Sequence, residues 1–68
     1  MKLIRAGQAA RLLGVDPDTL RRRAAGRNHL EIYGHRLRVF RMDEGPGAEG
    51  RFDEDEVRRL VAHLNNEP

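Results

Sequence analysis

Apolar residues recur with helical spacing in three stretches of the chain and alternate with polar ones in a fourth. Ala6, Ala9, Ala10 and Leu13 fall at i, i+3, i+4 and i+7, with Leu12 widening the stripe and Gln8 and Arg11 pointing away. Gly14 follows the last periodic residue, where a left-handed helix terminus favours glycine. Asp16-Pro17 then opens a second helix: the Asp16 carboxylate can accept from free first-turn amides, and proline suits the first helical position. This helix is expected to run to about Ala25 and stop at Gly26. A third begins with Asp53 and Glu56 in capping-box spacing and carries Val57, Leu60, Val61 and Leu64 on one stripe. The helices are therefore placed at about 6–13, 17–25 and 54–64.

Between the second and third helices the period shortens. Ile32, Leu37 and Val39 share one face of an extended chain, while Arg36, Arg38 and Phe40 share the other. Two registers fit. Gly34-His35 can be a tight turn between Glu31–Tyr33 and Arg36–Met42, or the acidic, glycine-rich stretch 43–50 can be the main loop, returning through Arg51-Phe52. Both hold together in a three-strand meander, the favoured arrangement, with the long loop as a mobile tip. No internal repeat and no long linker divides the chain, so residues 1–68 read as one domain.

Only Gly14-Val15-Asp16 separates the first two helices, and a short glycine-containing turn between short helices is the helix-turn-helix signature. Val15 would plug the corner. The expected fold class is mainly α with a small antiparallel β wing: a winged helix-turn-helix of three helices plus a β-hairpin or three-strand meander, the wing spanning about 30–52.

Composition narrows the function classes. At 68 residues without cysteine, disulfides and thiolate metal sites are excluded, and a deep catalytic pocket is hard to combine with a core. His29, His35 and His63 follow no metal-binding spacing, and no metal or cofactor is expected. No nucleophile–base motif and no phosphate-cradling glycine loop is present, because Gly45, Gly47 and Gly50 sit among carboxylates; an enzyme is the least favoured class. The N-terminus is too short and too soon charged for a signal peptide, and no apolar run approaches the roughly 20 residues of a membrane span. A cytoplasmic protein without a membrane partner is expected, associated with the nucleoid when bound.

Charge then points to a partner. Residues 1–42 carry ten Lys/Arg against three acids, for +7, while residues 43–68 carry three against eight, for −5. A basic front and an acidic back suit a polyanion on one face only, although a solvated surface of mixed charge is the plainer reading. On a helical wheel Leu20 and Ala24 face inward, with Asp18, Thr19, Arg21, Arg22 and Arg23 around the exposed side. In a helix-turn-helix this second helix enters the major groove, where arginine can pair with guanine and threonine can touch a thymine methyl. Arginine also favours helices, so the triplet can equally be a soluble surface. Asp18 is more naturally a partner of Arg22 and of the helix dipole than a base contact. The strand residues Arg36, Arg38 and Arg41, with His35, form a second candidate cluster for phosphates or a minor groove. Gln8 and Arg11 on the first helix and Arg27 after the second complete the candidate surface.

The run Gly7-Gln-Ala-Ala-Arg-Leu-Leu-Gly-Val-Asp-Pro-Asp-Thr-Leu-Arg-Arg-Arg23, with Arg51-Phe52-Asp53-Glu54-Asp55-Glu56-Val57 before the last helix, resembles the MerR-type winged helix-turn-helix superfamily. The similarity is nearest to its short members, the phage excisionases and small BldC-like regulators, and spans about Ile4 to Leu64. The resemblance implies DNA contacts from Thr19, Arg21 and Arg22 and wing contacts from the arginines near 36–38. The chain departs from the family pattern at Arg23, where an aromatic residue is common, and in its longer, acidic wing. The dimerising coiled coil and effector domain of full-length MerR regulators are not expected within these 68 residues, so the resemblance does not imply ligand sensing. The expected function is sequence-specific binding of double-stranded DNA, as a small transcription regulator or an excisionase-like DNA recombination directionality factor. Several copies would sit head-to-tail, an acidic back against a basic front. The alternative is a protein-interaction module docking on a recombinase or other partner, with DNA binding incidental. RNA ranks third, for lack of an aromatic stacking platform.

Overall fold

The computed structural model describes residues 1–41 and 49–66. Their order is β1 (Leu3–Arg5), α1 (Ala6–Leu13), α2 (Pro17–Ala24), β2 (His29–Ile32), β3 (His35–Arg38), β4 (Phe40–Arg41), β5 (Gly50–Asp53) and α3 (Glu54–Asn66). Three helices and two small antiparallel sheets thus surround one apolar cluster, to which β1, β2, β3, β5 and all three helices contribute. The anticipated glycine-rich loop tip, residues 43–48, and the strand end at Met42 lie outside the described residues.

The α1–α2 corner follows from its sequence. Ala6, Ala9, Ala10 and Leu13 are buried, and three alanines on the inner face let the two helices approach closely. Gly14 takes φ 73°, a left-handed conformation in which a side chain is strained, and its N–H returns to the Ala10 carbonyl. Val15 packs half-buried against the core. Asp16 then caps α2, its carboxylate accepting from the Thr19 N–H at 3.1 Å, with Pro17 at the first helical position. Leu20 is 0% exposed and Ala24 is 3% exposed, which fixes the rotation of α2. The helix ends at Ala24, one residue before the expected limit, because Ala25 turns extended ahead of a left-handed Gly26.

The strands depart from the expected meander. β2 and β3 form a separate two-stranded hairpin, with Ile32 opposite His35 and His29 opposite Arg38. Its two-residue turn is Tyr33-Gly34, one residue earlier than the sequence suggested. Both turn residues take positive φ, 52° and 76°, as the hairpin turn whose twist matches the strands requires. Tyr33 is held there by its hydroxyl, which donates to the Leu13 carbonyl at 2.9 Å. At Val39, buried and bonded through its N–H to the Asn28 carbonyl, the chain leaves the hairpin. β4 then pairs with β5 in a different sheet, of order β1-β5-β4. β5 is therefore central, flanked on its other edge by the N-terminal strand, with Ile4 opposite Phe52 and Arg5 opposite Arg51. Short apolar content at Leu3-Ile4 gives no periodic signal, so β1 was not foreseen.

α3 also starts differently from the capping box its spacing suggests. The Asp53 carboxylate accepts from the Asp55 N–H at 3.1 Å. Glu56 turns instead to the hairpin, accepting from the backbone N–H of Arg38 at 2.7 Å and its Nε at 2.8 Å. Tertiary attraction to a guanidinium outweighs the local bond. The helix continues to Asn66, two residues beyond the expected end, with Val57 and Leu60 buried and Val61 and Leu64 packed at the rim.

Candidate nucleic-acid interface

The exposed side of α2 carries Asp18, Arg21, Arg22 and Arg23, with Thr19 half-buried beside them. Leu20 seats the opposite side in the core, so the arginines project by geometry and not by choice of rotamer. Two open grooves flank the helix. One, between α2 and β2, is lined by Thr19, Arg22, Arg23, Arg27, His29 and Glu31. The other, toward α1, is lined by Gly7, Arg11, Asp16, Asp18 and Arg21. Basic residues from α1, α2 and the segment after α2 thus meet along one surface.

The individual guanidiniums are not equivalent. Arg22 donates to the Thr19 hydroxyl at 3.4 Å and has no acidic partner among the described residues. Arg21 lies 3.1 Å from Asp18, so the acid pairs at i, i+3, not with Arg22 at i+4 as expected. Arg21 also reaches Glu49 at 3.3 Å through Nε. Arg23 donates to the Glu31 carbonyl at 3.3 Å and ties α2 to the hairpin. Arg11, Arg27 and Arg36 are exposed and make no ion pair among the described residues. Gln8 is exposed on α1 and lines a cleft with Arg5, Arg11, Arg21 and Glu49.

The strand cluster divides. Arg36 projects freely, whereas Arg38 is engaged by Glu56 at 2.8 Å and Asp53 at 3.5 Å, and lies over the Phe40 ring at 5.1 Å. These contacts engage Nε and Nη2 of Arg38, which leaves its Nη1 donors uncommitted among the described residues. Arg41 folds back instead, donating to the carbonyl of Ala24, the last residue of α2, and to that of Arg27 beyond it. The Ala24 carbonyl also accepts from the Arg27 N–H at 3.1 Å, so the guanidinium reinforces the turn that follows the helix. His35 meets His63 of α3 edge-on, ring centroids 4.9 Å apart, which brings together two histidines remote in sequence. Among the described residues no group of three or more potential ligands could hold a metal ion, and no helix is long and apolar enough to cross a membrane.

Among the described residues the acids of the C-terminal half do not form a free back. Glu54 pairs with Lys2 and Arg58, Asp53 and Glu56 with Arg38, and Glu49 with Arg21 and Arg51. Asp55 stays exposed without an ion pair among the described residues. Sequence asymmetry is thus partly folded into intramolecular neutralisation. Arg5 and Arg51, absent from the sequence-based candidates, are paired across β1 and β5; Arg5 lines the cleft with Arg21, and Arg51 joins it through their common partner Glu49. Nothing local marks them. No family profile matches the chain, and neither does any curated protein or any solved structure.

Proposed function

We propose that this chain is a sequence-specific double-stranded DNA-binding protein of the winged helix-turn-helix type, MerR-like in its corner and recognition helix. In this reading α2 enters the major groove with Thr19 and Arg22 toward base edges, while α1 crosses the backbone through Gln8 and Arg11. Arg27 and Arg36 reach phosphates on the hairpin side, and Arg23, Arg38 and Arg41 brace the surface from behind. One observation carries the reading: α2 is capped by Asp16, anchored by a fully buried Leu20, and presents three consecutive exposed arginines from that fixed rotation. A helix held this firmly with its cationic side outward matches the depth and charge of a major groove.

Use as a small transcription regulator or as a recombination directionality factor follows equally from such a module. The surface is small, and adjacent copies on DNA would supply the remaining specificity. The test is selection of bound fragments from a random duplex pool, repeated at two salt concentrations. A recurrent motif is expected, with affinity falling steeply as salt rises because bound phosphates release counterions. Retention of duplexes without any enriched motif would leave only non-specific binding. No retention at low salt would refute the reading and favour a module that docks on a protein partner.

A further inference from the structure

The cleft between β1, α1 and α2 adds Arg5, and Arg51 through Glu49, to the Arg11 and Arg21 that line the groove on the α1 side of α2. Arg5 and Arg51 are direct cross-strand partners in the β1–β5 ladder. Like charges in that position are destabilising unless an anion lies between or beside them. Arg5, Arg11 and Arg21 line the cleft with Gly7 and Gln8. Arg21 Nη2 passes over Gly7 at ordinary van der Waals range, 3.8 Å from where a Cβ would stand.

One carboxylate sits in this ring of guanidiniums. Glu49 Oε1 lies 3.3 Å from Arg21 Nε, and its Oε2 lies 3.5 Å from Arg51 Nη1. The fit is incomplete. Arg51 Nη1 is buried and has no hydrogen bond, only the long ion-pair contact. Arg5 and Arg11 have no acidic partner among the described residues. A planar carboxylate offers two oxygens to donors arriving from several directions, whereas a tetrahedral phosphodiester offers oxygens along more of them. The cleft therefore has more donor capacity than its occupant satisfies.

We propose that this four-arginine cleft is a seat for a backbone phosphodiester of duplex DNA, and that the Glu49 carboxylate is its internal stand-in, displaced when the phosphate arrives. The proposal rests on the DNA-binding reading above and deepens it, extending the α1 backbone contact to Arg5 and Arg51 and giving Glu49 a role there. Glu49 then acts as a competitor that lowers affinity for any polyanion unable to bring a phosphate to this position. Selectivity is gained because only a correctly seated duplex recovers the two broken ion pairs.

The experiment measures affinity for one duplex at low salt for the wild type, Glu49→Gln and Asp55→Asn, the last removing the same charge from an exposed acid outside the cleft. Glu49→Gln is expected to bind about threefold to tenfold tighter and Asp55→Asn less than about twofold tighter. Adding Arg5→Gln and Arg51→Gln together to the wild type, both outside the contacts assigned above, should flatten the slope of log affinity against log salt by about 0.9, the loss of one phosphate. That variant keeps the reading independent of how Glu49→Gln folds, and thermal melts check both. Equal gains in Glu49→Gln and Asp55→Asn, or an unchanged salt slope in the arginine double variant, would overturn the cleft while leaving DNA binding intact. Inorganic phosphate at matched ionic strength that releases the Glu49 contact as readily as duplex, read from the Arg21 Nε–H resonance, would make it a free-anion site and overturn the duplex assignment. Absence of duplex binding by every variant would instead remove the DNA reading and this proposal with it.

Discussion

Replacing Arg38 with alanine separates two roles that an arginine on the hairpin can play. If the guanidinium serves mainly as a strut, its removal lowers stability; if it waits for phosphate, removal lowers affinity alone. Its partners are two poorly exposed acids: the side chains of Asp53 and Glu56 are 9% and 19% exposed, against 53% for Arg38 itself. The half-exposed cation requires discounting for solvent, so each ion pair contributes about 0.2–1 kcal/mol, with the 2.8 Å Glu56 contact near the upper end. Loss of the cation over Phe40 adds about 0.5 kcal/mol. Arg38→Ala should therefore destabilise the fold by about 1–2 kcal/mol, since Glu56 keeps its bond to the backbone N–H. In a domain of this size that lowers the melting midpoint by about 5–15 °C. Melts followed by circular dichroism for wild type, Arg38→Ala, Glu56→Gln and the double variant give the coupling directly. The double variant should be less destabilised than the two single changes summed, and the coupling should shrink in high salt. An unchanged midpoint for Arg38→Ala, together with uniformly weaker duplex binding, would refute the strut.

Three further changes probe how the surface is held. Leu20→Ala empties the space beneath α2 and should cost about 2–5 kcal/mol in denaturant titration; a loss below about 1 kcal/mol would mean that α2 is not anchored there. Tyr33→Phe removes the hydroxyl that donates to Leu13 and should cost about 0.5–1.5 kcal/mol, with faster exchange of the hairpin amides; unchanged exchange would show that the tip is held by other contacts. Gly50→Ala puts a methyl 2.7 Å from Val39 Cγ1 and 3.0 Å from Arg41 Nη1, and the overpacking should cost about 1–3 kcal/mol; a neutral change would show that this corner yields readily.

What the sequence disclosed and what it hid divide along the range of the interactions. Gly14, Asp16-Pro17 and the stripe through Leu20 act within a turn or two of backbone, and the corner and the face of α2 could be read from them. The same is true of the buried Ile32, Leu37 and Val39 and of the stripe beginning at Val57. Strand partnership was not legible, because β1 contributes only three residues and its register on β5 is set by packing around Phe52. The exit of the chain at Val39 is likewise a tertiary event, and it divides one expected meander into two sheets. Side-chain ion pairs were the least legible. Arg36 and Arg38 are equivalent by alternation, yet α3 brings Glu56 only to Arg38. Arg41 looks like a third wing cation until the end of α2 is placed beneath it. Glu49 belongs in sequence to an acidic loop and in space to an arginine cleft.

The most direct test of the central claim is a duplex titration followed by backbone amide resonances. The account predicts that the largest shifts fall at Thr19 to Arg23, with companions at Arg11, Arg27 and Arg36, while Arg58 to His63 on α3 stay still. Shifts concentrated on α3, with the amides of α2 unmoved at saturating duplex, would contradict it.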